Sequence, residues 1–173
     1  MEIKNRNISS NKPPFIIAEI SANHNNKITR ALKLIDEAKK AGADAVKLQT
    51  YTADTMTLKS KKKDFLIGDK KSLWKGKYLH DLYKIGSTPW NWHKELFERA
   101  KKKKILCFST PFDETAVDFL SKLKVPAYKI SSFENNHFPL LEKVINKRKP
   151  IIISTGATSL KEINNVMKVL AKK

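Results

Sequence analysis

AYKISSFE (residues 127–134) carries a lysine into the middle of an apolar run. Ala127, Tyr128 and Ile130 suit an interior β-strand, yet Lys129 sits among them and Ser131, Ser132 and Glu134 follow directly. A charged amine in a core is expensive unless it is paired or used. Four further stretches make it one of a set: FIIAEI (15–20), DAVKLQT (44–50), KILCFST (104–110) and PIIIST (150–155). All are near-continuous apolar runs of strand length rather than alternating ones, the pattern of parallel strands covered on both faces.

Helical patterns separate these strands. Residues 28–41 place Ile28, Ala31, Leu32, Ile35 and Ala38 on one stripe, with Gly42 available to end the helix. Thr88 and Pro89 suit the N-cap and first position of a helix over 89–103. Asp113 suits the cap of 114–123, a short amphipathic piece covers 138–148, and Ser159 with Glu162 forms a capping box for a last helix to about 172. The order is βα repeated five times, with one long insertion, residues 51–88, after the second strand. That lysine-rich insertion holds Trp74, Tyr78 and Tyr83 and is expected to form a lid or a decorated loop with a short helix. Repeated βα units give an α/β fold, either an open doubly wound sheet or a (β/α) TIM-type barrel. No Gly-rich phosphate fingerprint follows any strand, which disfavours dinucleotide and nucleotide binding.

A chain of 173 residues suits one domain. Its formal charge of +18 invites a nucleic-acid reading. The lysines lie in short runs such as 61–63 and 101–104 with little aromatic interleaving, and arginine, the usual bidentate reader, occurs only at Arg6, Arg30, Arg99 and Arg148. Solvated lysine faces are the expectation, and nucleic acid is not an expected partner. No apolar run approaches a membrane span, and residues 1–10 lack the apolar centre of a signal peptide, so a cytoplasmic protein is expected. Cys107, the single cysteine, lies in an apolar run and reads as a small core residue.

Each of the five strands ends in polar residues at its carboxyl end. The first gives Glu19, Ser21, Asn23 and His24; the second Lys47, Gln49 and Thr50; the third Ser109 and Thr110. The fourth gives Lys129, Ser131, Ser132 and Glu134, and the fifth Ser154 and Thr155. Structural ion pairing could explain one buried pair. Two lysines and two glutamates at one end of successive parallel strands point instead to the end where barrel active sites lie. Lysines with several hydroxyls suit an anionic ligand, especially one with phosphate and carboxylate. A Schiff-base lysine is the rival reading. His24 reads as a hydrogen-bonding residue rather than a ligand, and His80, His93 and His137 fall in no ligand-like spacing, so no metal site is expected within this chain.

These residues resemble the sialic-acid synthase family, from about residue 14 to residue 170. The resemblance is carried by FIIAEISANHNN (15–26), AKKAGADAVKLQTY (38–51), STPWNWHKELF (87–97), FSTPFDETAVDFL (108–120), YKISSFE (128–134) and PIIISTGA (150–157). AEISANHN, KLQTY and TPWNWH are more similar to the pseudaminic acid branch than to the N-acetylneuraminate or legionaminate branches. Residues 135–138 (NNHF) are more polar than the family's usual continuation.

The resemblance implies a TIM-type barrel of eight βα units, of which residues 1–173 hold about the first five. It implies condensation of phosphoenolpyruvate with an open-chain amino-sugar aldehyde, a 2,4-diacetamido-2,4,6-trideoxy-altrose, with release of phosphate by C–O cleavage. A divalent metal (Mn²⁺, Mg²⁺ or Co²⁺) is implied as the Lewis acid. Matched residue by residue, Lys47, Thr110, Lys129, Ser132 and Ser154 are implied to hold phosphoenolpyruvate. Glu19 and Glu134 are implied as the catalytic pair that contacts the sugar, Glu134 also handling a proton, with Asn23, His24 and Gln49 as substrate-loop residues. On this resemblance the Schiff-base reading recedes. The family is homodimeric, and its metal-binding histidines and C-terminal antifreeze-like domain are matched by nothing in this sequence. The expectation is therefore a half that works with a separate C-terminal half or, in another class, an inactive binding module.

Overall fold

The computed structural model describes residues 1–171. It opens with a hairpin that the sequence reading missed, β1 (Glu2–Ile3) and β2 (Arg6–Asn7). Strands of two residues are too short for periodicity to register. The turn residues Lys4 and Asn5 take φ of 48° and 66°, the left-handed values that a tight hairpin turn requires. Ile3 is fully buried, and Arg6 pairs with Asp44 at 3.6 Å, which sets the hairpin near the amino ends of the main strands.

All five expected strands are present, shorter than the runs that announce them: β3 (Ile17–Glu19), β4 (Ala45–Thr50), β5 (Leu106–Pro111), β6 (Tyr128–Ile130) and β7 (Ile151–Ile153). They form one parallel sheet in sequence order, curled into a partial barrel wall. The helices are α1 (Ile28–Lys40), α2 (Ala53–Met56), α3 (Leu79–Gly86), α4 (His93–Lys102), α5 (Glu114–Lys122), α6 (Phe138–Ile145) and α7 (Leu160–Leu170). Alternation along each strand divides two environments. Val46 and Leu48 face outward and pack with Ile35 of α1 and Leu96 of α4. Tyr128 and Ile130 pack with Val117, Leu141 and Val166 of the later helices. Residues between them, Lys47, Gln49 and Lys129, face the opposite way, into the barrel. The register sets Glu19 beside Lys47 and Gln49 beside Thr110.

Three helix expectations are corrected. The fourth helix starts at His93 rather than at 89, because Trp90–Trp92 forms a 3₁₀ turn first. The Trp90 ring stacks on Phe119 at 4.7 Å and its Nε1 donates to the Tyr51 carbonyl, which holds the entry out of helical geometry. The sixth helix stops at Ile145 rather than 148, and Arg148 already has φ of 51°. The insertion 51–88 carries two short α-helices, tied by His80 Nε2 to Asp54 Oδ1 at 2.9 Å, not one. The Asp113 cap and the Ser159–Glu162 capping box are as expected. The last helix ends at Leu170, and its expected end near 172 lies outside the described residues. Among the described residues no helix is long and apolar enough to cross a membrane.

Candidate active site

The carboxyl ends of β3 to β7 bring the polar set together. Lys47, with its side chain only 14% exposed, forms an ion pair with Glu19 and donates to Thr110 Oγ1 at 3.4 Å. Glu19 also accepts from the Ser21 backbone N–H at 3.0 Å, and the Ser21 hydroxyl donates to Gln49 Oε1 at 3.1 Å. One chain of contacts thus ties the first loop to the second strand. Lys129 Nζ donates to Ser154 Oγ at 2.6 Å and to the Ile130 carbonyl. Among the described residues it has no carboxylate within ion-pair distance. Ser132 lies against the loop after β7: a Cβ added to Gly156 would come within 2.9 Å of its hydroxyl. Glu134 accepts from the Ser131 hydroxyl.

Electrostatics couples these groups. Burial lowers the pKa of the Lys129 amine, the nearby Lys47 charge lowers it further, and Glu19 and Glu134 act the other way. Burial raises the Glu134 carboxyl above the usual glutamate value, against smaller opposing effects from its own backbone, His137 and Lys129. The mouth therefore holds one ion-paired lysine, one lysine with only neutral acceptors, and a carboxyl shifted towards its protonated form.

His24 sits elsewhere. It is fully buried, its Nδ1 accepts from the Asn26 N–H at 3.0 Å, and its ring packs edge-on against Trp92. With Nδ1 accepting, Nε2 carries the proton and donates to Thr88 Oγ1 at 3.1 Å. Burial lowers its pKa, which keeps it neutral. His24 thus holds the shape of the first loop, while Asn23 beside it is exposed.

Two buried polar arrangements escaped the sequence reading. On the outward face, His93 Nδ1 lies 3.2 Å from the Pro89 carbonyl, so Nδ1 is the donor and Nε2 accepts from Thr50 Oγ1 at 2.8 Å. Thr50 then accepts from Ser109 at 2.6 Å. Burial drives the His93 pKa down to about 4. Asn135, also buried, donates through Nδ2 to the Ser154 carbonyl at 3.1 Å and to Thr158, joining the loops after β6 and β7. The unusual polarity of residues 135–138 (NNHF) was the signal in the sequence that pointed towards it.

Among the described residues no three His, Cys, Asp or Glu side chains converge as a metal site would require. The residues present therefore do not make the divalent-metal site that the resemblance implies.

A parallel βα wall with its ionisable residues gathered at the strand carboxyl ends belongs to the TIM-barrel class. Within that class the chain belongs to the NeuB family, whose model matches residues 34–173. It is 45% identical over 163 residues to pseudaminic acid synthase of Campylobacter jejuni, covering 94% of this chain and 47% of that protein. It is 38% identical to N,N'-diacetyllegionaminic acid synthase of the same species, covering 93% and 48%. The crystal structure of N-acetylneuraminic acid synthetase from Leptospira borgpetersenii in complex with citrate superposes with a TM-score of 0.84 at 31% identity, covering 99% of this chain and 55% of that one. The chain spans about half the length of the curated relatives it matches.

Proposed function

We propose that this chain supplies the anion-binding half of a pseudaminic acid synthase, an enzyme that condenses phosphoenolpyruvate with a diacetamido-trideoxy-altrose. The observation that carries the reading is Lys129: a half-buried ammonium with only neutral acceptors, on the inner face of the wall near the ion-paired Lys47. Phosphoenolpyruvate carries a phosphate and a carboxylate, and two lysines with short hydroxyl donors answer both. Thr110, Ser132 and Ser154 would donate to its oxygens. In the reaction the enol carbon bonds to the aldehyde carbon, and the aldehyde oxygen takes a proton to become a hydroxyl. That leaves an oxocarbenium-like centre at the phosphate-bearing carbon; water adds there and gives up a proton, the C–O bond to phosphate breaks, and the new hydroxyl loses its proton as the keto group forms. Glu134, with its raised pKa, suits proton delivery, and Glu19 suits a sugar contact once an anion draws on Lys47.

The higher identity to the pseudaminic than to the legionaminic relative favours the altrose acceptor. On this reading residues 1–173 are the N-terminal part of a longer barrel domain, and the metal ligands, the dimer and a cytoplasmic location belong to the same proposal. The test is phosphate release from phosphoenolpyruvate, Mn²⁺ and the altrose acceptor, with and without a separately expressed C-terminal half from a relative. Release when both halves are present supports the proposal. No release from soluble folded halves, together with no binding of phosphoenolpyruvate, refutes it.

A further inference from the structure

The outer wall holds a second concavity that the barrel mouth does not use. It lies between α4 and α5, beside the Lys4 turn of the hairpin, with a volume of about 490 Å³. Its floor is apolar, built by Phe97 and Ala100 of α4, Ile105 and Cys107 on the approach to and within β5, and Leu123 after α5. Cys107 packs with the helices, on the face of β5 opposite to Thr110. The concavity is therefore separated from the mouth by the sheet.

Its rim is cationic. Lys94 and Lys101 stand one either side of Phe97 on one face of α4, Lys122 and Lys124 come from the end of α5, and Lys4 from the hairpin. Glu98 is the one acid in the lining. Among the described residues none of these five lysines has an ion-pair partner. Five positive charges and one negative leave +4. The carboxyl ends of α4 and α5 each offset about half a charge, so an excess of about three remains. Lys4 and Lys124 have φ of 48° and 55°, where glycine or asparagine is the easier choice. Two rim positions thus carry charge against the local backbone preference.

We infer that this concavity is a small-molecule site for an amphipathic organic anion, with an aryl or short alkyl body on the floor and one acidic head among the lysines. Its volume lies in the range of small-molecule sites. The apolar floor sets it apart from a site for a bare inorganic anion. Flexible lysine stems, apolar along their length and charged at the tip, suit a single acidic head above an apolar surface.

The test is calorimetric titration of the chain with 2-naphthoate, with its neutral alcohol analogue 2-naphthalenemethanol and with inorganic phosphate. The expected result is one saturable naphthoate site, weakened about tenfold or more by Lys101→Ala with Lys124→Ala. Phosphoenolpyruvate should not displace the bound naphthoate. Absence of saturable binding overturns the inference. So does equal affinity for the alcohol, displacement of naphthoate by phosphate, or binding unchanged in the double variant. Because the lysines and naphthoate lie outside the barrel mouth, failure here leaves the synthase proposal untouched.

Discussion

The two faces of β4 and β5 both carry polar residues, and they differ in what those residues have left to give. Outward, Thr50, Ser109 and His93 form a closed chain in which each hydrogen-bonding group has a partner, ending at the Pro89 carbonyl. Inward, Lys47 is ion-paired but meets Thr110 only at 3.4 Å, and across the next strand Lys129 has neutral acceptors alone. Burial of polar groups is common to both. A satisfied network of that kind fixes a fold, whereas unspent charge on a half-buried group marks a place for a ligand. Polarity by itself does not separate structure from site; the remaining valence does.

The largest effect expected on the outward face comes from acid. His93 has a folded pKa of about 4 against 6.5 for a free histidine, so the fold favours its neutral form. The unfolded chain binds the extra proton first as pH falls. Stability is therefore full above pH 6.5 and declines as pH drops towards 4, by about 3 kcal/mol over the window. Urea unfolding at a series of pH values should show the decline, and His93→Phe should flatten it. Next comes Thr50→Val, which leaves His93 Nε2 and the Ser109 hydroxyl without their shared partner. A loss of roughly 1–3 kcal/mol in unfolding free energy is expected, with anion binding at the mouth unchanged. The contrast between the faces breaks if that substitution weakens binding more than stability.

On the inward face the prediction concerns pH in the opposite direction. Because the Lys129 pKa is lowered, its ammonium is lost at lower pH than for an ordinary lysine. Affinity for phosphoenolpyruvate should fall as pH rises through that lowered value, and binding there should take up a proton, measurable as a buffer-dependent heat. Affinity that stays constant through the alkaline range would argue against Lys129 as a contact. The smallest effect is expected from Gly156→Ala. Its new Cβ would press on the Ser132 hydroxyl, displacing a donor at the mouth with the core intact. A severalfold loss of affinity with little change in unfolding midpoint would sharpen the contrast.

Much of this was legible in the sequence because charge inside an apolar run stands out. Near-continuous apolar runs announced the parallel sheet, and Lys47 and Lys129 within them pointed to the end that holds the candidate site, since parallel strands in sequence order bring their carboxyl ends together. The outward network was not legible. Thr50 and Ser109 look like any strand-end hydroxyls, and nothing local in the chain says that His93, 43 residues from Thr50, closes the chain between them. Pro89 misled for a related reason: the rule that places proline at a helix start is local, and the stacking of Trp90 on Phe119 overrides it. His24 reads in the sequence as a hydrogen-bonding residue, and burial against Trp92 and Thr88 gives that role its partners and makes it a brace for the first loop. In each case a tertiary partner, absent from the neighbouring sequence, decided the outcome.

The most direct test of the central claim is calorimetric titration of phosphoenolpyruvate into the native chain and into Lys129→Met at neutral pH. One saturable site is predicted in the native protein, weakened by roughly tenfold to a hundredfold in the variant, with unfolding midpoints that agree. No saturable binding to the folded native chain, or equal affinity in the variant, would contradict the claim that unspent charge at the inner strand ends forms the anion site.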